Sequence, residues 1–164
     1  MRAYVAVGTN LGDRWANLAR AARGLRAVPR TAVVAASRAW DTAPVGPPQP
    51  RYLNAVLALE TGLPPDALLG ALRGIEAGAL RRREVRWGAR TLDLDLLLHG
   101  DAVVATPSLV LPHPGLAARR FVLAPLAELA PSLVVPGTGA TVAELLARAP
   151  DANGTPVSLY PLAR

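Results

Sequence analysis

The sequence predicts an α+β domain, an antiparallel sheet with helices packed on one of its faces. Three observations carry this. Apolar residues alternate with period two in some segments and recur at helical spacing in others. Glycine and proline punctuate the boundaries between those segments. The segments run in the order strand, helix, two strands, helix, strand.

Residues 4–8 form a short strand that enters the loop Gly8-Thr9-Asn10-Leu11-Gly12-Asp13. Asp13 can cap a helix in which Trp15, Leu18, Ala22 and Leu25 share a face, and Pro29 ends it. Residues 31–42, rich in β-branched and small side chains, read as one strand running into a loop over 43–50 that holds four prolines. Residues 52–61 form the next strand, bounded by Pro50 and Gly62. Pro64-Pro65-Asp66 opens a second helix with Leu68, Leu69, Leu72 and Ile75 on one side. Periodicity then fails over 77–89, which reads as a loop. Residues 91–98 alternate as a strand and end in the turn His99-Gly100-Asp101, and Val103-Val104 begins a short return strand.

Beyond Pro107 the expectations are a short helix ending at Arg119, an extended or buried segment over 121–126, and a last helix over 142–147. The tail from Pro150 is weakly specified. The whole, 1–164, is one domain on the βαββαβ plan of a ferredoxin-like sandwich with C-terminal additions. Its helices cover one sheet face, which leaves the other face for ligands.

Composition narrows the function. With 51% hydrophobic and 18% charged residues, the 164-residue chain can bury a core. There is no cysteine, so disulfides, zinc–thiolate sites and thiol nucleophiles are excluded. No segment approaches the roughly 20 apolar residues of a membrane span, so the expectation is a cytoplasmic protein with no membrane partner. The net charge is +6 and every one of the 18 basic residues is arginine. Arg81, Arg82, Arg83, Arg86 and Arg90 crowd together with Glu84 as the one acid among them. The planar guanidinium grips phosphate oxygens in pairs, so the cluster points to phosphate or nucleic acid; taken alone, a charge run is more often a solvated face.

The sharpest chemical signal follows that cluster: Arg90-Thr91-Leu92-Asp93-Leu94-Asp95-Leu96-Leu97-Leu98. Alternation puts Leu92, Leu94, Leu96 and Leu98 on the core face and Thr91, Asp93 and Asp95 on the other. Two carboxylates about 7 Å apart on one strand can jointly hold divalent cations, and hard oxygen donors favour magnesium. A half-exposed strand with its acids in water is the plainer alternative, although aspartate is a poor strand residue. Acids that hold metal beside fixed cations make a phosphoryl-transfer site.

Other signals are softer. The Gly8–Asp13 loop lacks the lysine of a P-loop and is explained equally by a tight turn after the first strand. Trp87, beside Arg86, suits stacking on a base. His113 lies between two prolines, and a lone histidine is more often structural than catalytic. Tyr52 and Asn54 share one strand face, and Asn54 there calls for a hydrogen-bond partner. With Phe121 they would suit a flat heterocycle, a core role being the default.

Together these segments resemble the 6-hydroxymethyl-7,8-dihydropterin pyrophosphokinases of folate synthesis. The stretches are Gly8-Thr9-Asn10-Leu11-Gly12-Asp13, Asp41-Thr42-Ala43-Pro44-Val45-Gly46, Tyr52-Leu53-Asn54-Ala55-Val56 and Ile75-Glu76. Arg86-Trp87-Gly88-Ala89-Arg90-Thr91-Leu92-Asp93-Leu94-Asp95, Leu111-Pro112-His113-Pro114 and Arg119-Arg120-Phe121-Val122-Leu123-Ala124-Pro125-Leu126 follow in family order. The resemblance implies transfer of diphosphate from ATP to the pterin hydroxymethyl group, releasing AMP. It implies two magnesium ions on Asp93 and Asp95. Arg81 and Arg83 would belong to a catalytic loop closing over the triphosphate, with Arg90 at the reacting groups. Arg83, Trp87, Arg90, Leu96, His113 and Arg119 are the implied ATP contacts. Tyr52 and Phe121 would sandwich the pterin, while Asn54, Thr42, Ala43 and Val45 would read its hydrogen-bonding edge. Leu80 stands where the family usually has glycine, which would stiffen or redirect the start of the loop.

Two binding modules compete with an enzyme. A nucleic-acid-binding ferredoxin-like domain would share the fold and the charge, but should interleave aromatic and basic residues on its central strands. Asp93 and Asp95 sit there instead and would repel phosphate without metal. A silent interaction domain would have no use for Arg90, both aspartates and His113 together. A different metal-dependent transferase is a third rival, because an Asp-x-Asp pair does not name the acceptor. The expected partners are therefore ATP and the pterin, with no nucleic acid, and the expected state is a monomer.

Overall fold

The computed structural model describes residues 1–44, 48–81, 92–150 and 155–159, the last five and residues 80 and 81 by backbone alone. Its strands are β1 (Arg2–Thr9), β2 (Thr31–Ala36), β3 (Arg38–Thr42), β4 (Tyr52–Thr61), β5 (Asp93–His99), β6 (Val104–Ala105), β7 (Val110–Leu111) and β8 (Thr155–Leu159). The α-helices are α1 (Arg14–Arg26), α2 (Pro65–Arg81), α3 (Arg120–Leu129) and α4 (Val142–Arg148). A single 3₁₀ turn, Leu116–Ala118, precedes α3.

The main sheet runs β5-β1-β4-β3-β8, with β2 also paired to β4, and β6 and β7 form a separate two-stranded ribbon. The pairs β1·β4, β1·β5, β2·β4, β3·β4 and β3·β8 are all antiparallel. Odd-numbered residues of β1 and β4 pack against α1 and α2: Val5, Val7, Leu53, Leu57 and Leu59 share a core with Leu18, Leu25, Leu68 and Leu72. Even-numbered residues face the other way, where Tyr4, Val56 and Ala58 pack with Leu123, Leu126, Val142 and Leu145 of α3 and α4. Helices therefore cover part of both sheet faces, which corrects the expectation of one covered face. The additions after β5 bury the second face at one end and leave it open at the other.

Local chemistry accounts for the boundaries. Asp13 caps α1 by accepting the N–H of Ala16 (3.1 Å). Thr141 and Glu144 form a reciprocal capping box on α4. The strand expected over 31–42 is split at Ser37. Its buried Oγ accepts the N–H of Val56 (2.9 Å), so a side chain takes a ladder position that backbone would otherwise hold.

The helix α2 runs through Arg81, beyond the loss of periodicity at 77, and Leu80 continues the helix where a glycine would weaken it. Residues 121–126 are helical rather than extended, despite Pro125 inside α3. An interior proline costs about 3 kcal/mol. Burying Val122, Leu123 and Leu126 offsets that at about 1.5–3 kcal/mol for each fully buried side chain. The tail adds β8 to the edge of β3.

One correction reaches the candidate site. In β5 the register shifts between Leu96 and Leu98, leaving Leu97 as an extra residue opposite the Tyr4–Val5 step. Leu92, Leu94 and Leu96 join the α1/α2 core as expected, but Leu97 and Leu98 both join the opposite core. His99 returns to the first side, where its Nε2 meets the carbonyl of Leu63 at 2.8 Å.

Candidate active site

The open end of the second face is a trough whose floor is set by strand register. Asn54 pairs with both Trp40 and Gly8, and Gly8 pairs with Asp93, so these four residues form one row across the sheet. The next row holds Val56, Ala6 and Asp95. Directly paired residues point to the same face. The upward residues of β1 shrink from Tyr4 to Ala6 to Gly8, and the floor sinks accordingly. The resulting cavity, about 780 Å³, is lined by Gly8, Trp40, Thr42, Ala43, Pro44, Tyr52, Asn54, Asp93, Asp95, Arg119 and Phe121, among others. Its volume and mixed aromatic and amide lining suit a flat heterocycle with a polar edge.

Asn54 is held in place: its Nδ2 donates to the hydroxyl of Thr42, itself buried on β3. Gly8 is extended, not a turn residue; the positive φ of that loop belongs to Gly12 (72°). What glycine supplies at position 8 is space, because a Cβ there would lie 2.9 Å from Asn54 Oδ1. Register, not loop chemistry, explains the residue. The loop after β1 is anchored from beneath. Buried Asn17 donates to Thr9 Oγ1 (3.0 Å) and the Leu11 carbonyl (2.8 Å), and Asn10 donates to Gln49 Oε1 (2.9 Å).

A second groove of about 300 Å³ lies along the other side of β5, lined by Leu69, Arg73, Glu76, Asp93, Asp95, Leu96, Ser108 and His113, among others. Asp93 and Asp95 line both cavities, so the two spaces meet at the carboxylates. The Asp95 side chain is 51% exposed. Glu76 accepts the N–H of Leu94 (2.9 Å) and so fixes α2 to β5 between the two aspartates.

His113 stands beside them. Its Nδ1 accepts the N–H of Gly115 (3.1 Å), which leaves the proton of the neutral ring on Nε2, 3.9 Å from Asp95 Oδ1. Burial pushes the imidazole below its usual value; Asp95 opposes this and the Arg119 charge adds to it. The backbone N–H of His113 donates to the Leu97 carbonyl (2.9 Å), tying the Pro-His-Pro segment to β5.

The structure thus brings together Thr42, Ala43, Tyr52, Asn54, Asp93, Asp95, Leu96, His113, Arg119 and Phe121. Arg119 lines the larger cavity, with its guanidinium 6.0 Å from the Phe121 ring centre. Val45, Arg83, Trp87, Arg90 and the Arg81 side chain lie outside the described residues. Among the described residues, no group of three or more His, Cys, Asp and Glu side chains could hold a metal ion. Two carboxylates at the meeting point of two cavities fit an ion that completes its shell with substrate phosphate oxygens and water.

Trp40, Gly8, Glu76 and Arg73 also line these spaces without having been singled out as site residues. Trp40 sits two residues before Thr42, and strand alternation could have found it. The other three depend on register and on helix placement.

The family model described as 7,8-dihydro-6-hydroxymethylpterin-pyrophosphokinase (HPPK) matches residues 4–131. A Pseudomonas aeruginosa protein named 2-amino-4-hydroxy-6-hydroxymethyldihydropteridine pyrophosphokinase is 46% identical over 150 residues, covering 91% of this chain and 92% of its own. One of the same name from Methylorubrum extorquens is 47% identical over 148 residues, covering 90% and 92%. Among solved structures, wild-type Plasmodium falciparum HPPK-DHPS with pteroate superposes with a TM-score of 0.71 at 14% identity, over 90% of this chain and 42% of that one. That likeness is one of fold, to part of a longer chain. A family model spanning residues 4–131 and relatives 46% and 47% identical over nearly their whole length show that this chain belongs to the 7,8-dihydro-6-hydroxymethylpterin-pyrophosphokinase family.

Proposed function

We propose that the larger cavity takes the reduced pterin and the groove takes ATP, so that the substrates meet over Asp93 and Asp95. The reaction is the family's: diphosphate passes from ATP to the hydroxymethyl group of 6-hydroxymethyl-7,8-dihydropterin in folate synthesis. The observation that carries this division is that the two carboxylates line both spaces. Tyr52 and Phe121 would stack on the pterin, and Asn54 and Thr42 would meet its amide edge, with Ala43 and Val45 beside them. Leu96 and His113 would contact the nucleotide. Arg81, Arg83, Trp87, Arg90 and Arg119 complete the reading as phosphate, base and transition-state contacts.

Chemically, the hydroxymethyl oxygen attacks the β-phosphorus and gives up its proton, the bond from that phosphorus to the α,β-bridging oxygen breaks, and AMP leaves. Positioning and charge neutralisation supply most of the rate. Magnesium, read as two ions on Asp93 and Asp95, would neutralise the phosphate oxygens. With its Nδ1 already accepting from Gly115, neutral His113 offers an Nε2–H donor to a phosphate oxygen. We also read the strand order β5-β1-β4-β3 as a ferredoxin-like frame, supported by the antiparallel pairing throughout. A monomer suffices, since every residue with a role comes from one chain, and use of ATP makes the cytoplasm the expected compartment.

Steady-state kinetics test the division of substrates. Phe121→Ala should raise KM for the pterin and leave that for ATP near wild type, and His113→Ala should do the reverse. Equal effects of each variant on both substrates would dissolve the two-cavity reading.

A further inference from the structure

The larger cavity has one aromatic wall whose position is set from outside it. Trp40 lines the cavity, and its indole nitrogen donates to Glu128 Oε1 (3.1 Å) on α3. The same carboxylate accepts two more hydrogen bonds from β3: the Arg38 N–H on Oε2 (2.9 Å) and Arg38 Nε on Oε1 (2.9 Å). The Arg38 guanidinium also lies 6.0 Å from the Trp40 ring centre. Glu128 lies at the protein surface, although only 20% of its side chain is exposed, and it does not line the cavity.

Helical spacing makes this more than a surface ion pair. Phe121, Ala124 and Glu128 recur at intervals of three and four and so share one stripe of α3. The first two of them line the cavity. A clamp at Glu128 therefore fixes the helix that carries Phe121 against the strand that carries Trp40 and Thr42. It also commits the one polar atom of Trp40, so what the indole offers a ligand is carbon surface.

We infer that Glu128 is a positioning residue for pterin binding: its three hydrogen bonds to β3 hold the Trp40 wall and set the gap between that wall and Phe121. This rests on the reading of the larger cavity as the pterin site.

The test uses Glu128→Gln, Trp40→Phe and Phe121→Ala. Glutamine keeps the size but replaces one acceptor oxygen with an amide that donates, so it cannot accept all three bonds. Losing a hydrogen bond to a charged group should raise KM for 6-hydroxymethyl-7,8-dihydropterin about tenfold in Glu128→Gln, with KM for ATP changed by less than about twofold. In ¹⁵N-labelled protein the indole N–H resonance of Trp40, identified by its loss in Trp40→Phe, should move in Glu128→Gln. Trp40→Phe keeps a ring and removes the donor, and should also raise pterin KM, which preserves the test if Glu128→Gln does not fold.

An unchanged pterin KM in both variants would overturn the inference. So would a rise for both substrates in step with a lowered melting temperature, the mark of a merely structural clamp. If Phe121→Ala leaves pterin KM unchanged, the cavity reading fails first and the inference falls with it. If Phe121→Ala weakens pterin and Glu128→Gln does not, only the inference fails.

Discussion

Gly8→Ala separates the needs of the site from those of the fold. An added Cβ would lie 2.9 Å from Asn54 Oδ1 and 3.7 and 3.9 Å from two ring carbons of Tyr52. The ring distances are ordinary contacts, and the first is too short by several tenths of an ångström. Asn54 must therefore move, and its bond to Thr42 is at stake. Losing that bond costs about 1 kcal/mol, and a misplaced amide at the ligand's edge adds a similar amount. Together that is about 2 kcal/mol, roughly a thirtyfold loss in pterin affinity.

The backbone at Gly8 is extended, so alanine fits it without strain. Its lower entropy in the unfolded chain returns about 0.4–1 kcal/mol of stability. Gly8→Ala should then unfold in urea within about 1 kcal/mol of wild type. Its pterin KM should rise by about an order of magnitude or more while KM for ATP stays put. A wild-type pterin KM would refute the claim that register, through the Gly8–Asn54 pair, shapes this cavity.

Two further variants probe the scaffold. Asn17→Ala removes two buried hydrogen bonds to the loop after β1. At about 1 kcal/mol each, the melting temperature should fall by roughly 4–8 °C, and no shift by calorimetry would mean the loop is held otherwise. Glu144 is held below the usual carboxyl value, first by the Thr141 N–H and then by its hydroxyl. A depressed folded value means its stabilisation is present above about pH 4.5 and lost as pH falls through the lower folded value. Glu144→Ala should accordingly be less stable than wild type in urea at pH 7, with the gap narrowing as pH falls below about 4.5; a gap independent of pH would contradict the capping-box account.

How far the fold can be read from the chain depends on how local its causes are. Strand β4 and helix α1 are legible because Pro50 and Gly62 bound the first, and the Asp13 cap and Pro29 bound the second, each acting on its near neighbours. The break at Ser37 is not, since it requires Val56 nineteen residues away. Residues 121–126 read as extended or buried; they are buried, and they are helical because long-range packing offsets the local cost of Pro125. The bulge at Leu97 is likewise set by β1, and period-two alternation carried through it put Leu98 on the wrong face.

The site divides the same way. Asp93 and Asp95, Tyr52 and Asn54, His113 and Phe121 stand out by residue type at telling positions. Gly8 and Trp40 flank Asn54 only through register, and Glu128 reaches β3 from ninety residues downstream of Arg38. Gly8 and Glu128 carry no local signal of their roles, whereas alternation from Thr42 along β3 reaches Trp40.

The most direct measurement follows AMP and pterin diphosphate by chromatography in purified protein given ATP and 6-hydroxymethyl-7,8-dihydropterin, with and without magnesium, wild type beside Asp95→Ala. Equal amounts of both products are expected, formed only when pterin and magnesium are present. The variant should show a rate at least about a hundredfold lower, since Asp95 sits where the cavities meet. AMP formed without pterin, or an Asp95→Ala rate close to wild type, would contradict the proposed function.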